Sequence, residues 1–330
     1  MLKYIYNKKE RENNIMRKND NKMNVEGKIY QFKLEEKVTG ETSKVPGTPY
    51  ISGTIDVATD ANAENIVQVH YTYVAPTYSS GKANNSYTAL KQIINSGKTV
   101  MTDGYEAATI VRLNPSYAVN DFFPEGQDEP VTQQRNEGGF VTITNEASIH
   151  PEGDIGRNKF ELDVVISNVS EVVPDEGDSY ASIKAIAFSF NGSALSITLI
   201  ARNKAAAEYF LGLGASNTNP IYTKVWGKIT NITEKVEKVI ESAFGEATVD
   251  VVPRRYKEYV ITGANPVPYE FDTDATITAA ELQKALQDRE VYLASEKKRT
   301  EDYRASKNSG NVSTTASTAN ATVPQGGFKF

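Results

Sequence analysis

The sequence predicts a mainly β protein with few helices (β/α+β), in which two five-stranded barrels follow one another along the chain. Two features predict this class. Segments that alternate apolar and polar residues occupy most of the chain between residues 23 and 270, and such alternation is typical of strands. Three strands, one helix and two further strands also occur in the same order twice, so the second half is expected to repeat the architecture of the first.

The first unit is assigned to residues 23–150. A long strand is followed by a turn rich in Gly and Pro and by two paired strands; the spacing of apolar residues then becomes helical, and Gly97 is placed to end the helix. Two more strands complete the unit, and the acidic stretch Glu125–Glu137 between them is predicted as a loop. The predicted elements are strands Val25–Val38, Tyr50–Ala58 and Asn65–Val74, helix Ser86–Asn95, and strands Thr99–Leu113 and Phe140–Thr144.

The second unit, residues 151–270, repeats this order. Its second and third strands are joined across Asn191 and Gly192, a dipeptide that is favoured in tight hairpin turns. A short helix that ends before Gly214 precedes the last strands. The predicted elements are strands Phe160–Val173, Ala181–Asn191 and Ala194–Arg202, helix Asn203–Leu213, and strands Tyr222–Thr230, Ala247–Val252 and Tyr256–Thr262.

The order β-β-β-α-β-β is that of the OB-fold, a small Greek-key barrel whose strand 2–3 face and flanking loops bind oligonucleotides or oligosaccharides. Five short strands around one helix would also suit an SH3-like barrel or a small sandwich, so these alternatives stay open. The tandem repetition favours two OB-like barrels.

The segments outside the two units differ in character. Residues 1–22 are rich in Lys, Arg and Asn and show no periodicity, so we expect a disordered extension. One interpretation is that the start codon is set too far upstream and that the true start is Met16 or Met23. The alternative is a basic arm that touches nucleic acid. Thr278 and Glu281 form a capping box that begins a helix over residues 276–305. Residues 306–330 are predicted to be a disordered tail. Its aromatic tip, Phe328 and Phe330, either docks a partner or is incidental.

The composition excludes several kinds of chemistry. The chain has no Cys, which excludes disulfides, thiolate nucleophiles and iron–sulfur clusters, and its only imidazoles are His70 and His150. Ser96–Thr99 resembles the end of a phosphate-binding loop but follows a predicted helix instead of preceding one, so we interpret it as a coincidence. We therefore expect no catalytic residues, no metal, no cofactor and no enzymatic activity. No apolar run approaches the roughly 18 residues of a membrane span, and we expect a cytoplasmic protein without a membrane partner.

Alternation assigns the side chains of two strands in the first unit to two faces. Ile51, Tyr71 and Tyr73 are predicted to point into the barrel. The opposite face is polar and partly aromatic, which suits weak contacts to bases or sugars, although an ordinary solvated sheet face would have the same pattern. The residues predicted to bind nucleic acid on this face are Tyr50, Gln68 and His70.

A strand of the second unit carries a stronger pattern. Along Ile221–Ile229, two aromatic residues and two lysines alternate with core positions. Aromatic rings stack on bases for roughly 1–3 kcal/mol each and ammonium groups neutralise phosphates, so this face is predicted to bind single strands. The alternative is that Trp226 is buried and the lysines cover it. The predicted binding residues are Tyr222, Lys224, Trp226 and Lys228, continued by Arg202, Lys204, Arg254, Arg255 and Tyr256.

Three groups of segments carry a family resemblance: KMNVEGKIYQFKL, PYISGTIDVATD and NIVQVHYTYV in the first unit, ARNKAAAEYF and YTKVWGKI in the second, and a polar tail that ends in aromatic residues. In these the chain resembles phage-encoded single-stranded-DNA-binding proteins of the tandem OB type. It differs from bacterial single-strand-binding proteins because it has two units per chain and no acidic residues in its tip.

The resemblance implies a protein that coats single-stranded DNA, largely without sequence specificity, in phage replication or recombination in the host cytoplasm. Its expected partners are single-stranded DNA, phage replication proteins that contact the tail, and further copies of the chain. The alternative is a structural or assembly protein of the virion, whose β units form an oligomeric interface. A third class, a nucleic-acid enzyme with an unrecognised carboxylate site, is also left open.

Overall fold

Ten strands form two closed five-stranded barrels in the computed structural model, which describes residues 19–144, 157–174, 177–240, 248–273 and 276–308. For residues 232–240 and 248–256 this description covers the backbone only. The strands are β1 (Asn21–Val38), β2 (Pro49–Ala58), β3 (Ile66–Val74), β4 (Ile110–Phe122), β5 (Val131–Thr144), β6 (Asn158–Val172), β7 (Tyr180–Phe188), β8 (Ala194–Ala201), β9 (Ile221–Ile240) and β10 (Thr248–Ala264).

The first barrel closes in the order β1-β2-β3-β5-β4, and β4 pairs again with β1. Its neighbouring strands are antiparallel except β3 and β5, which are parallel where His70 aligns with Glu137. Helices α1 (Asn85–Ser96) and α2 (Val100–Asp103) lie between β3 and β4 in the chain. This is the OB-fold arrangement, which confirms the predicted fold class.

The second barrel repeats the arrangement in the order β6-β7-β8-β10-β9, and β9 pairs with β6. Its one parallel contact joins β8 to β10 at Ile200 and Val260. Helix α3 (Lys204–Gly212) follows β8, and the side chain of Asn203 accepts hydrogen bonds from the first free N–H groups of that helix. The hairpin predicted at Asn191 and Gly192 is present: the N–H of Gly192 donates to the carbonyl of Ser189 at 2.9 Å, and Gly192 has a positive φ of 83°.

Local sequence explains where α1 begins and ends. The side chain of Asn84 accepts a hydrogen bond from the N–H of Ser86 and so caps the first turn. Leu90 and Ile93 lie on the buried face of the helix. At Gly97 a side-chain Cβ would lie 2.6 Å from the carbonyl oxygen of Ile93, so the helix ends at a position that only glycine fits. The predicted helix is confirmed to within one residue at each end.

The two barrels share one hydrophobic core and one strand. Tyr117 of β4 packs edge-on against Tyr259 of β10, with ring centroids 5.4 Å apart, inside a cluster of buried residues drawn from both barrels. The first residues of β1 pair with β6 from Asn21 opposite Leu162 to Val25 opposite Asn158. β1 is therefore a strand of the first barrel and, at its start, an added strand of the second.

The C-terminal helix α4 (Ala279–Asn308) lies across both barrels. Its capping box is formed as predicted: the N–H of Thr278 donates to the Glu281 carboxylate at 2.7 Å, and the N–H of Glu281 donates to Thr278 Oγ1 at 3.1 Å. Ala285 packs on the second barrel. Arg289 forms an ion pair with Asp121 of β4 at 2.9 Å, which ties the helix to the first barrel.

Two strand predictions in the first barrel are wrong. β4 begins at Ile110, because Thr99 caps the short helix α2 by accepting from the N–H of Thr102. β5 begins at Val131, so the predicted acidic loop contracts to residues 123–130. Its polar residues are compatible with a strand because several of them bond to the second barrel, as Gln134 does by accepting from the N–H of Thr198.

The predicted ends of the second barrel and of the chain also need correction. β9 continues to Ile240 and β10 is one strand where two were predicted; the two pair from Thr248 opposite Ile240 to Ala264 opposite Val225. Residues 19–22, assigned to the disordered extension, are ordered, since the carbonyl of Asp20 accepts from the N–H of Asp163 at 2.8 Å. Residues 306–308 belong to α4. Residues 1–18 and 309–330, including Phe328 and Phe330, lie outside the described residues.

Candidate nucleic-acid interface

The first-barrel face, by which we mean the outer side of β1, β2 and β3, is built of cross-strand rows of polar residues. In one row the amides of Gln31 and Gln68 each donate to a different oxygen of the Asp56 carboxylate, both at 2.7 Å. In the next row Thr54 lies opposite both Lys33 and His70. Gln68 and His70 thus lie where the alternation predicts them, in contact with partners on two neighbouring strands.

An aromatic pair extends this face. The rings of Tyr50 and Tyr73 contact each other at a centroid distance of 4.8 Å and an interplanar angle of 33°. Tyr73 is 45% exposed, so the prediction that it points into the barrel is wrong. The reason is an irregularity in the β2–β3 ladder, where Ile51 pairs with Val74 but Gly53 pairs with Tyr71: the extra residue on β3 turns Tyr73 outward and leaves Tyr71 in the core.

Two basic side chains and one imidazole lie close together beside this face, at the boundary between the barrels. The ammonium group of Lys257 of β10 donates to the carbonyl of Gln134 of β5 at 2.6 Å, and Arg135 follows in the same strand. Loss of water around this ammonium group, together with the charge of Arg135, lowers the pKa of Lys257 to about 8. Burial, Arg135 and Lys257 lower the pKa of His70 to about 4. His70 is therefore neutral near pH 7. We call Arg135, Lys257 and His70 the junction cluster.

Tyr222 does not contribute to a surface. It lies on the outer side of β9, as alternation predicts, but it is only 1% exposed. The chain returns over it: the N–H of Tyr269 donates to the carbonyl of Tyr222 at 2.7 Å, and the ring of Phe271 stacks on its ring at 5.6 Å. The prediction of an exposed Tyr222 is wrong because a segment more than forty residues later in the chain covers it.

Lys224 is held by carboxylates. Its ammonium group hydrogen-bonds to Asp20, lies 3.2 Å from Glu161 and 4.0 Å from Asp163. Partial desolvation lowers the pKa of Lys224, but the hydrogen bonds to Asp20 and Glu161 and the charges of Asp163 and Asp20 outweigh it, so its pKa lies above the ordinary value. The charge that was predicted to neutralise a phosphate is already neutralised within the protein.

Trp226 and Lys228 lie on the same side of β9. The indole of Trp226 covers Gly263 so closely that a Cβ at that glycine would lie 2.4 Å from its Nε1. Lys228 is half-buried and pairs in register with the exposed Lys159 of β6. Trp226 is therefore a partly exposed ring fixed against the sheet, so neither the fully exposed nor the fully buried interpretation describes it.

The remaining predicted residues are scattered. Arg202 forms an ion pair with Glu258 and lies over the ring of Tyr180 at 4.6 Å. Lys204 is exposed at the start of α3, 4.0 Å from Glu208. The backbones of Arg254, Arg255 and Tyr256 belong to β10, and their side chains lie outside the description.

The equivalent face of the second barrel holds two shallow clefts. One, of about 430 Å³, is lined by polar residues of β6 and of the loop before β9, and the other, of about 300 Å³, lies between β5 and the strands β7 and β8. Lys184 lines both clefts together with Ser167. This face has a cation and hydroxyl groups but no exposed aromatic pair among the residues that line the clefts.

The structure therefore brings together Tyr50, Gln68 and His70, but it does not join them to the residues predicted on β9. Sequence reasoning missed Tyr73, Arg135 and Lys257. Only Tyr73 had a local signal, as one of three aromatic or imidazole side chains in β3. Arg135 lies in a stretch without apolar alternation and Lys257 is 122 positions away from it, so their proximity depends on the packing of the two barrels.

Comparisons with known proteins give one match to a family. The family model described as YorF matches residues 19–299. No curated protein matches the chain significantly. Among solved structures, a deletion mutant and the wild-type form of the single-stranded DNA binding protein from Thermus aquaticus each align at 8% sequence identity and a TM-score of 0.45, covering 78% of this chain and 98% and 97% of theirs. Across the described residues, no helix has the length and apolar character needed to cross a membrane.

Proposed function

This chain belongs to the YorF family, and from the surface of its first barrel we propose that it binds single-stranded DNA. One observation carries the proposal: the pair of the half-buried Tyr50 and the exposed Tyr73 on the strand 2–3 face of a closed OB barrel. Bases of any sequence stack on aromatic rings, whereas a duplex keeps its bases stacked on each other. A sequence-tolerant interaction with single strands is the function this pair supports best.

The surroundings of the pair support the same proposal. Lys33 is exposed on the same face, and no carboxylate of the described residues lies within ion-pair distance of it. Hydrogen-bonding amides line the next row. Rings for stacking, a cation for phosphate and amides for base edges or sugars are the groups that single-strand-binding surfaces combine. A net charge of −6 for the whole chain requires that the attraction for DNA be local to this face.

The proposal also includes the biological process in which the protein acts and the absence of catalytic activity. A role in phage replication or recombination, in the host cytoplasm, rests on the sequence resemblance alone. Binding without chemistry rests on the missing thiols and on the scarcity of imidazoles in the sequence. Recruitment of replication proteins through Phe328 and Phe330, and self-association, stay predictions.

A fluorescence-anisotropy titration with an oligo-dT strand at low salt tests the proposal. We expect binding, and we expect Tyr50→Ala and Tyr73→Ala each to weaken it by roughly 1–3 kcal/mol through the loss of one stacking platform. Tyr73→Phe should retain the affinity because the ring remains. Tyr303→Ala on α4, where the ring is 50% exposed, is the matched control and should change nothing.

No binding of oligo-dT by the unaltered protein would rule out the proposal. Assembly into large particles in the absence of DNA would instead favour the virion protein. Full affinity in the Tyr50→Ala, Tyr73→Ala double variant, with lost affinity in Trp226→Ala, would move the site to the second barrel.

A further inference from the structure

The junction cluster contains two cations from different barrels that no acid of the described residues neutralises. Arg135 belongs to β5 and donates from Nε and Nη2 to its neighbour Gln133, at 3.3 and 2.9 Å. Lys257 belongs to β10 and donates to the carbonyl of Gln134. Neither forms an ion pair within the described part of the chain. Two like charges are thus held side by side where the barrels meet.

Three cations elsewhere in the structure are each paired with carboxylates. Lys224 faces three carboxylates, Arg202 is paired with Glu258, and Arg289 is paired with Asp121. The contrast is informative because leaving two adjacent cations unpaired is unfavourable. Desolvation is the main cause of the lowered pKa values of Lys257 and His70, and repulsion by the neighbouring cations adds to it.

The carboxylates that face the cluster are engaged elsewhere. Asp56, on β2, accepts from two glutamine amides. Glu137, two residues after Arg135 on β5, accepts from the hydroxyl of Thr72. Glu258, next to Lys257 on β10, is held by Arg202. Arg135 and Lys257 thus have no carboxylate within ion-pair distance among the described residues, and an external anion is the partner that could contact both.

The type of anion follows from the groups and from their position. A guanidinium group presents a planar fork that matches phosphate oxygens, and an ammonium group adds a point charge beside it. His70 is in β3, three residues before Tyr73, which corresponds to about 10 Å along a strand. A strand whose bases stack on the Tyr50–Tyr73 pair would therefore have backbone phosphates within reach of the cluster.

On the basis of the function proposed above, we infer that Arg135 of the first barrel and Lys257 of the second form one phosphate-binding site, which carries the bound strand across the boundary between the barrels. His70, as a neutral imidazole, supplies a donor or an acceptor at its edge. The site exists only when both barrels are in place, because each contributes one of the two cations. The two barrels would then form a single continuous binding surface instead of two independent modules.

Salt-dependent titrations with oligo-dT test the inference. Each phosphate contact to a single strand contributes about 0.7 to the slope of log K against log salt, so Arg135→Gln and Lys257→Gln should each flatten the slope by about that amount and weaken binding about tenfold. Lys284→Gln on α4 is the matched control: its side chain is 73% exposed and lies outside the site, so the slope should not change.

A pH profile separates a phosphate contact from a purely structural role. The pKa of Lys257 in the free protein is about 8, and a bound phosphate would raise it, so the protein should take up a proton on binding and lose affinity as the pH rises from 8 towards 10. Lys257→Arg keeps its charge throughout this range, and its affinity should fall less steeply than that of the unaltered protein. If Lys257→Gln fails to fold, this profile and the Arg135→Gln slope decide the matter.

The possible failures are distinguishable. If no form of the protein binds oligo-dT, the proposed function itself is wrong. If oligo-dT binds and both glutamine variants keep the slope, or Lys257→Arg shows the same pH profile as the unaltered protein, DNA binding stands and the shared phosphate site is overturned.

Discussion

At the scale of single residues, buried hydroxyl groups distinguish one core tyrosine from another. Tyr71 and Tyr259 are both almost fully buried, and burial raises the pKa of each phenol far above its usual value. The hydroxyl of Tyr259 donates to Asn136 at 2.9 Å, whereas within the described residues the hydroxyl of Tyr71 has no hydrogen-bond partner. An unpaired buried polar group costs about 1–3 kcal/mol. Replacement by Phe should therefore change the free energy of unfolding differently at the two positions.

We expect Tyr71→Phe to leave the free energy of unfolding unchanged or to raise it by about 1 kcal/mol, because an unsatisfied group is removed. Tyr259→Phe should lower it by about 1–3 kcal/mol, because the amide oxygen of Asn136 loses its donor while the ring stays in place. Urea unfolding of both variants measures the difference. Equal losses would contradict the assignment of an unpaired hydroxyl to Tyr71.

At the scale of elements, α4 acts as a tie between the barrels. Ala285 of this helix packs on the second barrel. Two other side chains contact the loop after β4: Arg304 donates to the carbonyl of Phe123 at 2.6 Å, and Lys297 forms an ion pair with Asp128 at 2.7 Å. The exposed pairs on the helix are worth little individually. The ion pair of Arg289 with Asp121 differs because the two side chains are only 11% and 1% exposed.

Removal of Arg289 should therefore be costly. Arg289→Met would leave the Asp121 carboxylate buried beside Thr132 without its cation, and we expect a loss of about 3–5 kcal/mol in the free energy of unfolding. Lys284→Met removes an exposed pair with Asp288 on the same helix and should cost less than about 1 kcal/mol. Denaturant unfolding compares the two variants, and similar small losses would show that α4 does not tie the barrels together.

Elements with a regular alternation were predictable from sequence, and those shaped by distant contacts were not. β2 and β3 agree with the prediction to within one residue at their ends, because apolar residues that face the core alternate with polar residues along most of each strand. The start of β5 was missed, because Gln134 and Asn136 bond to the other barrel and an apolar alternation is therefore absent. The burial of Tyr222 was missed for a similar reason: local alternation places a side chain on a face but cannot reveal what covers that face.

At the scale of the whole molecule, the shared core makes the two barrels interdependent. Asn136 is fully buried where they meet; its amide donates to the carbonyl of Gln68 at 2.8 Å, and its oxygen accepts from Tyr259. Asn231 of β9 donates likewise to the carbonyl of Ile66 at 2.6 Å. Hydrogen bonds and packed aromatic rings across the boundary imply that neither barrel retains its core if the other unfolds.

We therefore expect one cooperative unfolding transition, although chains of this length often unfold in steps. Hydrogen exchange of β2 and β3 should show the same denaturant dependence as that of β7 and β8, and Trp226 fluorescence should report the same midpoint. Asn136→Ala should lower the midpoint for both barrels together, since it removes two bonds at their boundary. A shift confined to one barrel would show that the two are separable.

The strand that both barrels share sets an order of events during synthesis. Residues 21–25 of β1 leave the ribosome early, yet their partners in β6, residues 158–162, are translated more than a hundred residues later. At about 5–20 residues per second the delay is on the order of ten seconds. During this time the nascent chain can close β1 against β2 while the beginning of β1 remains an open edge, and open edges invite mispairing. A ribosome pause before β6 should therefore increase aggregation more than a pause placed after it.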